Sequence, residues 1–144
     1  MPSKIAVIRV RGNINVRKDI ADTLEMLKLY NKNFCVFLEN KAEIKGMIKK
    51  VKDFVTYGTV DEEVFKEIVE KRGEEYTGRA EDSKGIIKYS RRYVEVNGKK
   101  YNKFFRLNPP KKGYGRNGIK RPFLKGGALG DRKEKINDLL KRMI

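Results

Sequence analysis

The sequence predicts an α+β fold: a β-α-β-α-β core, followed by a third helix, on a three-stranded sheet covered by helices, then a basic C-terminal extension with a β-hairpin and a terminal helix. Three observations lead there. Residues 4–72 alternate short apolar runs with stretches whose apolar residues recur at helical spacing. Asn97-Gly98 lies between two strand-like runs, the strongest short-range hairpin signal a sequence carries. The net charge of +16 over 144 residues is unevenly spread, +2 in residues 1–75 and +14 in residues 76–144. A chain of this length makes one main domain with an extension. The expected division is a core module over 1–72 and a basic extension over 73–144.

Residues 4–11 read as the first strand, with Ala6, Ile8 and Val10 on one face and Val7, Arg9 and Arg11 on the other. Gly12-Asn13 ends it, and Asn15 is the expected N-cap of a helix to about Leu29 with the stripe Ile20, Thr23, Leu24, Leu27. Residues 34–38 are apolar on both faces, as a covered strand requires. A second amphipathic helix is expected over 41–51, where Ile44, Met47, Ile48 and Val51 fall in step, and a third strand over 54–57. Thr59-Val60-Asp61-Glu62 then has the spacing of a capping box. The helix behind it presents Val64, Phe65, Ile68 and Val69 and stops at Gly73.

In the second half, residues 74–85 read as loop. The hairpin spans about 92–107, its second strand prolonged by Phe104-Phe105-Arg106-Leu107 until Asn108-Pro109-Pro110. Residues 108–130 are Gly-rich, without apolar period, and read as irregular. A helix over about 131–143 opens on the cap-like Asp131-Arg132-Lys133-Glu134 and carries the stripe Ile136, Leu139, Leu140, Met143.

The charge narrows the function. Residues 84–125 hold 14 Lys and Arg against the single acid Glu95. The segment is not low-complexity: Tyr89, Tyr93, Tyr101, Phe104, Phe105, Tyr114 and Phe123 are interleaved with the cations. Cations attract phosphate and aromatic rings offer stacking faces, which together point to RNA. A peripheral membrane protein instead needs its cations opposite an apolar helical face. Here they lie on hairpin and Gly-rich coil, so no membrane partner is expected, and no apolar run approaches the length of a spanning helix.

Catalytic readings are weaker. Histidine is absent, which removes every His-based triad and His metal site. Cys35 is alone, so there is no intrachain disulfide or Cys-cluster zinc site, and a lone thiol suits a reducing compartment. Asp61, Glu62, Glu63, Glu67 and Glu70 resemble a magnesium-binding cluster on paper, but acids in a first helical turn stabilise the helix dipole. Gly126-Gly127-Ala128-Leu129-Gly130 lacks the Gly-Lys-Ser/Thr ending of a phosphate-binding loop. No enzyme activity, metal, cofactor or small-molecule substrate is expected.

The chain resembles the archaeal and eukaryotic branch of the large-subunit ribosomal protein L30 family, whose eukaryotic members are numbered seven. The resemblance runs through Ile5-Ala6-Val7-Ile8-Arg9-Val10-Arg11-Gly12, Leu24-Glu25-Met26-Leu27-Lys28-Leu29, Ile44-Lys45-Gly46-Met47-Ile48-Lys49-Lys50-Val51 and Phe54-Val55-Thr56-Tyr57-Gly58. It continues in the extension at Phe105-Arg106-Leu107-Asn108-Pro109-Pro110, Gly118-Ile119-Lys120-Arg121-Pro122-Phe123 and Gly126-Gly127-Ala128-Leu129-Gly130, leaving only residues 74–91 without a matching pattern. It implies that the β-α-β-α-β core is a three-stranded antiparallel sheet with helices packed on one face, and it implies a structural, non-catalytic role in the cytoplasmic ribosome. It further implies contact with the large ribosomal RNA near the 5S rRNA and with neighbouring ribosomal proteins. Residue physics alone leaves a free RNA-binding regulator outside the ribosome as the alternative.

The candidate RNA-binding residues follow from position. Arg91, Arg92, Lys99, Lys100 and Lys103 flank the hairpin, and Arg106, Lys111, Lys112, Arg116, Lys120, Arg121 and Lys125 follow the extended segment. Tyr114 stacks on a base or packs in the core, and one of Phe104 and Phe105 faces RNA while the other is core. In the module, Arg9 and Arg11 lie on the strand's polar face, and Asn13, Arg17 and Lys18 cluster where a helix start offers free amides to phosphate, or is merely capped. Glycines at 111–127 let the backbone approach RNA closely, and such a segment is a candidate for ordering on binding.

Overall fold

The computed structural model describes residues 4–78, 83–86, 93–96 and 98–144. Arg91, Arg92, Tyr89 and the turn residue Asn97 lie outside the described residues. The elements are β1 (Lys4–Arg9), α1 (Lys18–Met26), β2 (Phe34–Glu39), α2 (Ala42–Lys50), β3 (Val55–Thr59), α3 (Glu62–Arg72), β4 (Tyr93–Val96), β5 (Lys99–Asn102), β6 (Phe104–Arg106), β7 (Gly130–Asp131) and α4 (Ile136–Met143). The three expected strands pair antiparallel, with β1 central: Val7 faces Val36 on one side and Tyr57 on the other.

The sheet is wider than those three strands. Its order is β6-β2-β1-β3-β7, and both edges come from the second half of the chain. The run 104–107 does not prolong the hairpin strand. Cys35 pairs with Phe105, so β6 lies antiparallel on the edge of β2, while β4 and β5 pair separately, Val94 with Tyr101. At the far edge β7 runs parallel to β3, Thr56 opposite Gly130.

Helices cover both faces, which corrects the expectation of one. Ile5, Val7, Val36 and Val55 pack with Leu24, Leu27 and Ile48 of the α1 and α2 side. Ala6, Ile8, Cys35 and Phe105 pack with Val64, Phe65, Ile68, Ile136, Leu139, Leu140 and Met143 of α3 and α4. The cause is β1, where every residue from Ile5 to Arg9 is buried. Val7 shares a face with Arg9, and grouping the two makes an apolar face look polar. Burying one large aliphatic side chain contributes roughly 1.5–3 kcal/mol, so a strand apolar on both faces strongly favours a covering layer on each.

Helix ends also differ from the sequence pattern. Asn15 sits at φ 57°, and Arg17 rather than Asn15 occupies the N-cap of α1. The capping box before α3 does not form: Asp61 takes the N-cap position with no side-chain cap bond. The Asp61 amide instead donates to Asn137 Oδ1 at 2.9 Å, and Asn137 Nδ2 donates to Glu134 O at 2.9 Å. The cap of α3 is therefore supplied by the C-terminal helix, 76 residues away. Gly73 ends α3 as expected, and Asp131 Oδ1 accepts from the Lys133 amide at the start of the last helical segment, 2.8 Å away.

Candidate nucleic-acid interface

The Gly-rich segment is built on hydrogen bonds of its own. Phe123 to Lys125 form a 3-10 turn closed by Gly126 in the left-handed region at φ 81°. The Phe123 amide donates to Leu129 O at 2.6 Å, Gly127 to Pro122 O at 2.9 Å and Ala128 to Arg121 O at 2.9 Å. A Cβ on Gly127 would sit 2.1 Å from Arg121 O, and one on Gly115 would sit 2.6 Å from Gly127 O. These two glycines let the chain pass close to itself. Leu124 is 92% exposed at the tip of this turn, between Arg121 and Lys125.

Arg132 ties the segment to the sheet. It is 4% exposed. Its Nε donates to Thr56 Oγ1 at 2.8 Å, and its Nη2 donates to Tyr114 O at 2.8 Å and Ala128 O at 3.1 Å. Thr56 Oγ1 in turn donates to Gly130 O at 3.0 Å. The guanidinium carbon lies 4.6 Å from the Phe123 ring centre. Burial, and then repulsion from Arg142, push its pKa down to about 10, against the pull of Tyr114 and Asp138. Arg142 clasps the same segment from α4, its Nη1 donating to Lys111 O at 3.1 Å and Gly113 O at 2.8 Å.

Between this segment and α4 lies a recess of about 430 Å³ lined by Lys112, Gly113, Tyr114, Gly115, Arg116, Phe123, Arg132, Lys135, Asp138 and Arg142. It gathers Lys112 and Arg116 from the sequence-expected set with Arg132, Lys135 and Arg142, which the sequence reading did not single out. Lys135 and Arg142 carried a signal: seven residues apart, they fall on one side of the expected terminal helix, flanking its apolar stripe, whereas Arg132, four residues before Ile136, falls in line with the stripe itself.

The remaining expected residues scatter. Lys111, Lys120, Arg121 and Lys125 are exposed along the Gly-rich segment, Lys99 is exposed on β5, and Lys100 places its Nζ 4.8 Å from the Tyr93 ring centre. Lys103 is half-buried, near enough to Glu39 to lower that carboxyl's pKa, an effect led by Lys41. Arg106 is exposed but paired with Glu74, Nε to Oε1 at 2.6 Å. Asn13 and Lys18 are exposed, and Arg17 pairs with Asp19 at 3.3 Å. Arg11 is half-buried against the Phe54 ring, 5.0 Å from its centre.

Arg9 is corrected outright. It is 3% exposed, and its guanidinium donates to Leu29 O at 2.7 Å, Tyr30 O at 3.1 Å and Arg11 O at 2.9 Å. It satisfies carbonyls of the loop after α1, with its pKa lowered by burial, and presents no face to phosphate. Tyr114 takes the packing role: it is half-buried against two core clusters, its hydroxyl donates to Asn33 Oδ1, and burial pushes its pKa up to about 12. Phe105 is fully buried, while Phe104 stacks on Phe34 at 5.4 Å with Tyr30 edge-on at 5.6 Å. Phe104 is thus held in an aromatic cluster on the opposite face of the sheet.

Among the described residues, no group of three or more carboxylate or thiol side chains is placed to hold a metal ion. No helix among them is long and apolar enough to cross a membrane. Residues 5–55 match the model of the family described as ribosomal protein L30p/L7e. The chain is similar over nearly its whole length to archaeal proteins named large ribosomal subunit protein uL30. It is 41% identical to that of Methanopyrus kandleri, covering 94% of this chain and all of the relative. It is 42% identical to that of Nanoarchaeum equitans, over 96% of this chain and 97% of the relative. The figures for Methanococcus maripaludis are 41%, 96% and 98%.

Proposed function

The chain belongs to the ribosomal protein L30p/L7e family, and from that premise we propose that it binds ribosomal RNA through the cations of its Gly-rich segment and C-terminal helix. It is a structural constituent of the large subunit of the cytoplasmic ribosome. The carrying observation is that Lys111, Lys112, Arg116, Lys120, Arg121 and Lys125 are exposed on a segment fixed to the sheet by buried Arg132. Cations on a fixed backbone meet a structured polyanion without first losing much conformational entropy. RNA helices hide their base edges in a deep groove, so recognition rests on phosphates, 2′-hydroxyls and shape.

The partners are the large rRNA, the adjacent 5S rRNA and neighbouring ribosomal proteins, and the role is scaffolding with no catalytic step. Arg91, Arg92, Lys99 and Lys100 extend the contact from the hairpin. Asn13, Arg17 and Lys18 form a lesser contact at the start of α1. The test is sucrose-gradient sedimentation of a native lysate at moderate salt, followed by crosslinking and sequencing of attached RNA. Stoichiometric migration with the large subunit, with crosslinks in the large rRNA and 5S rRNA, is expected. Migration at the top of the gradient would replace this reading with that of a free RNA-binding regulator.

A further inference from the structure

We infer that the recess between the 112–116 turn and α4 is a seat for one backbone phosphate of RNA, gripped jointly by Lys112, Arg116, Lys135 and Arg142. The inference deepens the proposed RNA binding and rests on it, but it makes a different claim. These cations converge on a single phosphate instead of each meeting its own.

Three features set this place apart from a merely basic surface. The first is charge balance: five cations line the recess and Asp138 is its one carboxylate. Asp138 is engaged with Arg142, Oδ2 to Nε at 3.3 Å, and the buried Nε makes no hydrogen bond. The second is fixation. Arg142 Nη1 is held by the carbonyls of Lys111 and Gly113, which flank Lys112 in the chain. Lys112 itself is in the left-handed region at φ 68°, followed by Gly113 at 75°, so the turn's path is set by its backbone. Arg132 at the base is held by Thr56, Tyr114 and Ala128. An anion entering here meets donors already in place.

The third feature is repulsion between neighbouring cations. Arg132 and Arg142 are close enough that the second lowers the pKa of the first. A phosphate diester seated between the 112–116 turn and Lys135 would bring one negative charge beside these cations and offset that repulsion. The aromatic floor argues for phosphate over base. Phe123 already meets the Arg132 guanidinium at 4.6 Å and Lys135 Nζ at 5.6 Å, so its ring serves the cations. At about 430 Å³ the recess has room for a phosphate together with its ribose.

The test has two arms. In the first, the full chain is titrated with inorganic phosphate at constant ionic strength, and amide signals are followed by NMR. Saturable shifts confined to Lys112–Arg116 and Lys135 are expected, lost in Arg116→Gln/Lys135→Gln and strengthened in Asp138→Asn. In the second arm, binding to protein-free large-subunit rRNA of Methanococcus maripaludis is measured against salt. Each single variant should flatten the log–log slope by about 0.7–0.9, the contribution of one phosphate, and the double variant by the same amount. Additive loss in the double variant, or unsaturable, unlocalised phosphate shifts, would overturn the shared seat while leaving rRNA binding intact. Failure of the unaltered chain to bind the rRNA would instead remove the proposed function, and the phosphate titration would still decide whether the recess takes an anion.

Discussion

Replacing Arg132 by Met should loosen the Gly-rich segment from the sheet while leaving the three-stranded core paired. Methionine matches the length and apolar stem of arginine but donates nothing. The change removes a charged donor from Thr56 Oγ1, Tyr114 O and Ala128 O, all within 3.1 Å, and the cation over Phe123. Hydrogen bonds from a charged donor are worth about 1.5–3 kcal/mol each, and a buried acceptor left unpaired costs about 1–3 kcal/mol. Against this stands the desolvation of a buried guanidinium, visible in the lowered pKa, which the substitution relieves. The balance is a destabilisation of about 3 kcal/mol. At this chain length that corresponds to a Tm drop of roughly 9–12 °C. Circular dichroism melting measures it, and hydrogen exchange locates it: the amides of 114–129 should exchange faster than those of β1 and β2. A Tm within about 2 °C of the unaltered protein, with 114–129 still protected, would show that Arg132 is not the tie.

Three further outcomes follow from the core. Cys35 is fully buried and its thiol pKa is pushed up by burial, so alkylation at pH 8 should proceed only through unfolding; the stability this proton linkage confers is complete below the unfolded thiol's pKa of about 8.5 and declines as pH rises above it. Asn137→Ala removes the acceptor of the Asp61 amide at the start of α3 and the donor to Glu134 O in the turn before α4, and should cost about 2 kcal/mol in urea unfolding, with the amides at the start of α3 losing protection. Tyr114→Phe should cost about 1 kcal/mol through its bond to Asn33. In the unaltered protein, absorbance at alkaline pH should show one tyrosine titrating near 12, and the stability it confers is present below about pH 10 and lost between there and about 12.

The elements of residues 4–72 were legible because each is a local pattern: periods of two or near 3.6, bounded by Gly12, the 31–33 turn and Gly73, although β3 runs on through Gly58 to Thr59 where the sequence pattern stops it at Tyr57. What escaped was decided by partners remote in sequence. Thr59 and Glu62 have the spacing of a reciprocal cap, yet Asn137 donates and accepts there instead, because α4 packs beside α3 and brings an amide side chain within 2.9 Å. Phe104 and Phe105 read equally well as a continuation of β5 and as an edge strand. The edge of β2 wins because it buries Phe105 completely beneath α3 and α4. Arg9 was misread for a similar reason: its burial depends on the carbonyls of Leu29 and Tyr30, 20 and 21 residues on.

The same reasoning explains why the candidate interface was half visible. Charge density marks residues 84–125, and the exposed cations at 111, 112, 116, 120, 121 and 125 do lie there. The residues that fix them do not: Arg132 and Arg142 follow that stretch, the first just ahead of and the second inside the helical segment whose apolar stripe is its most conspicuous feature. A charge run taken alone suggests a solvated arm, yet Ile136, Leu139, Leu140 and Met143 are fully buried with Ala6, Ile8 and Phe105 in one core. The extension therefore contributes much of the core on one face of the sheet and presents its cations from that anchored frame. Changes to its buried residues should weaken RNA binding without touching a phosphate, whereas neutralising its exposed cations should weaken binding and leave folding intact.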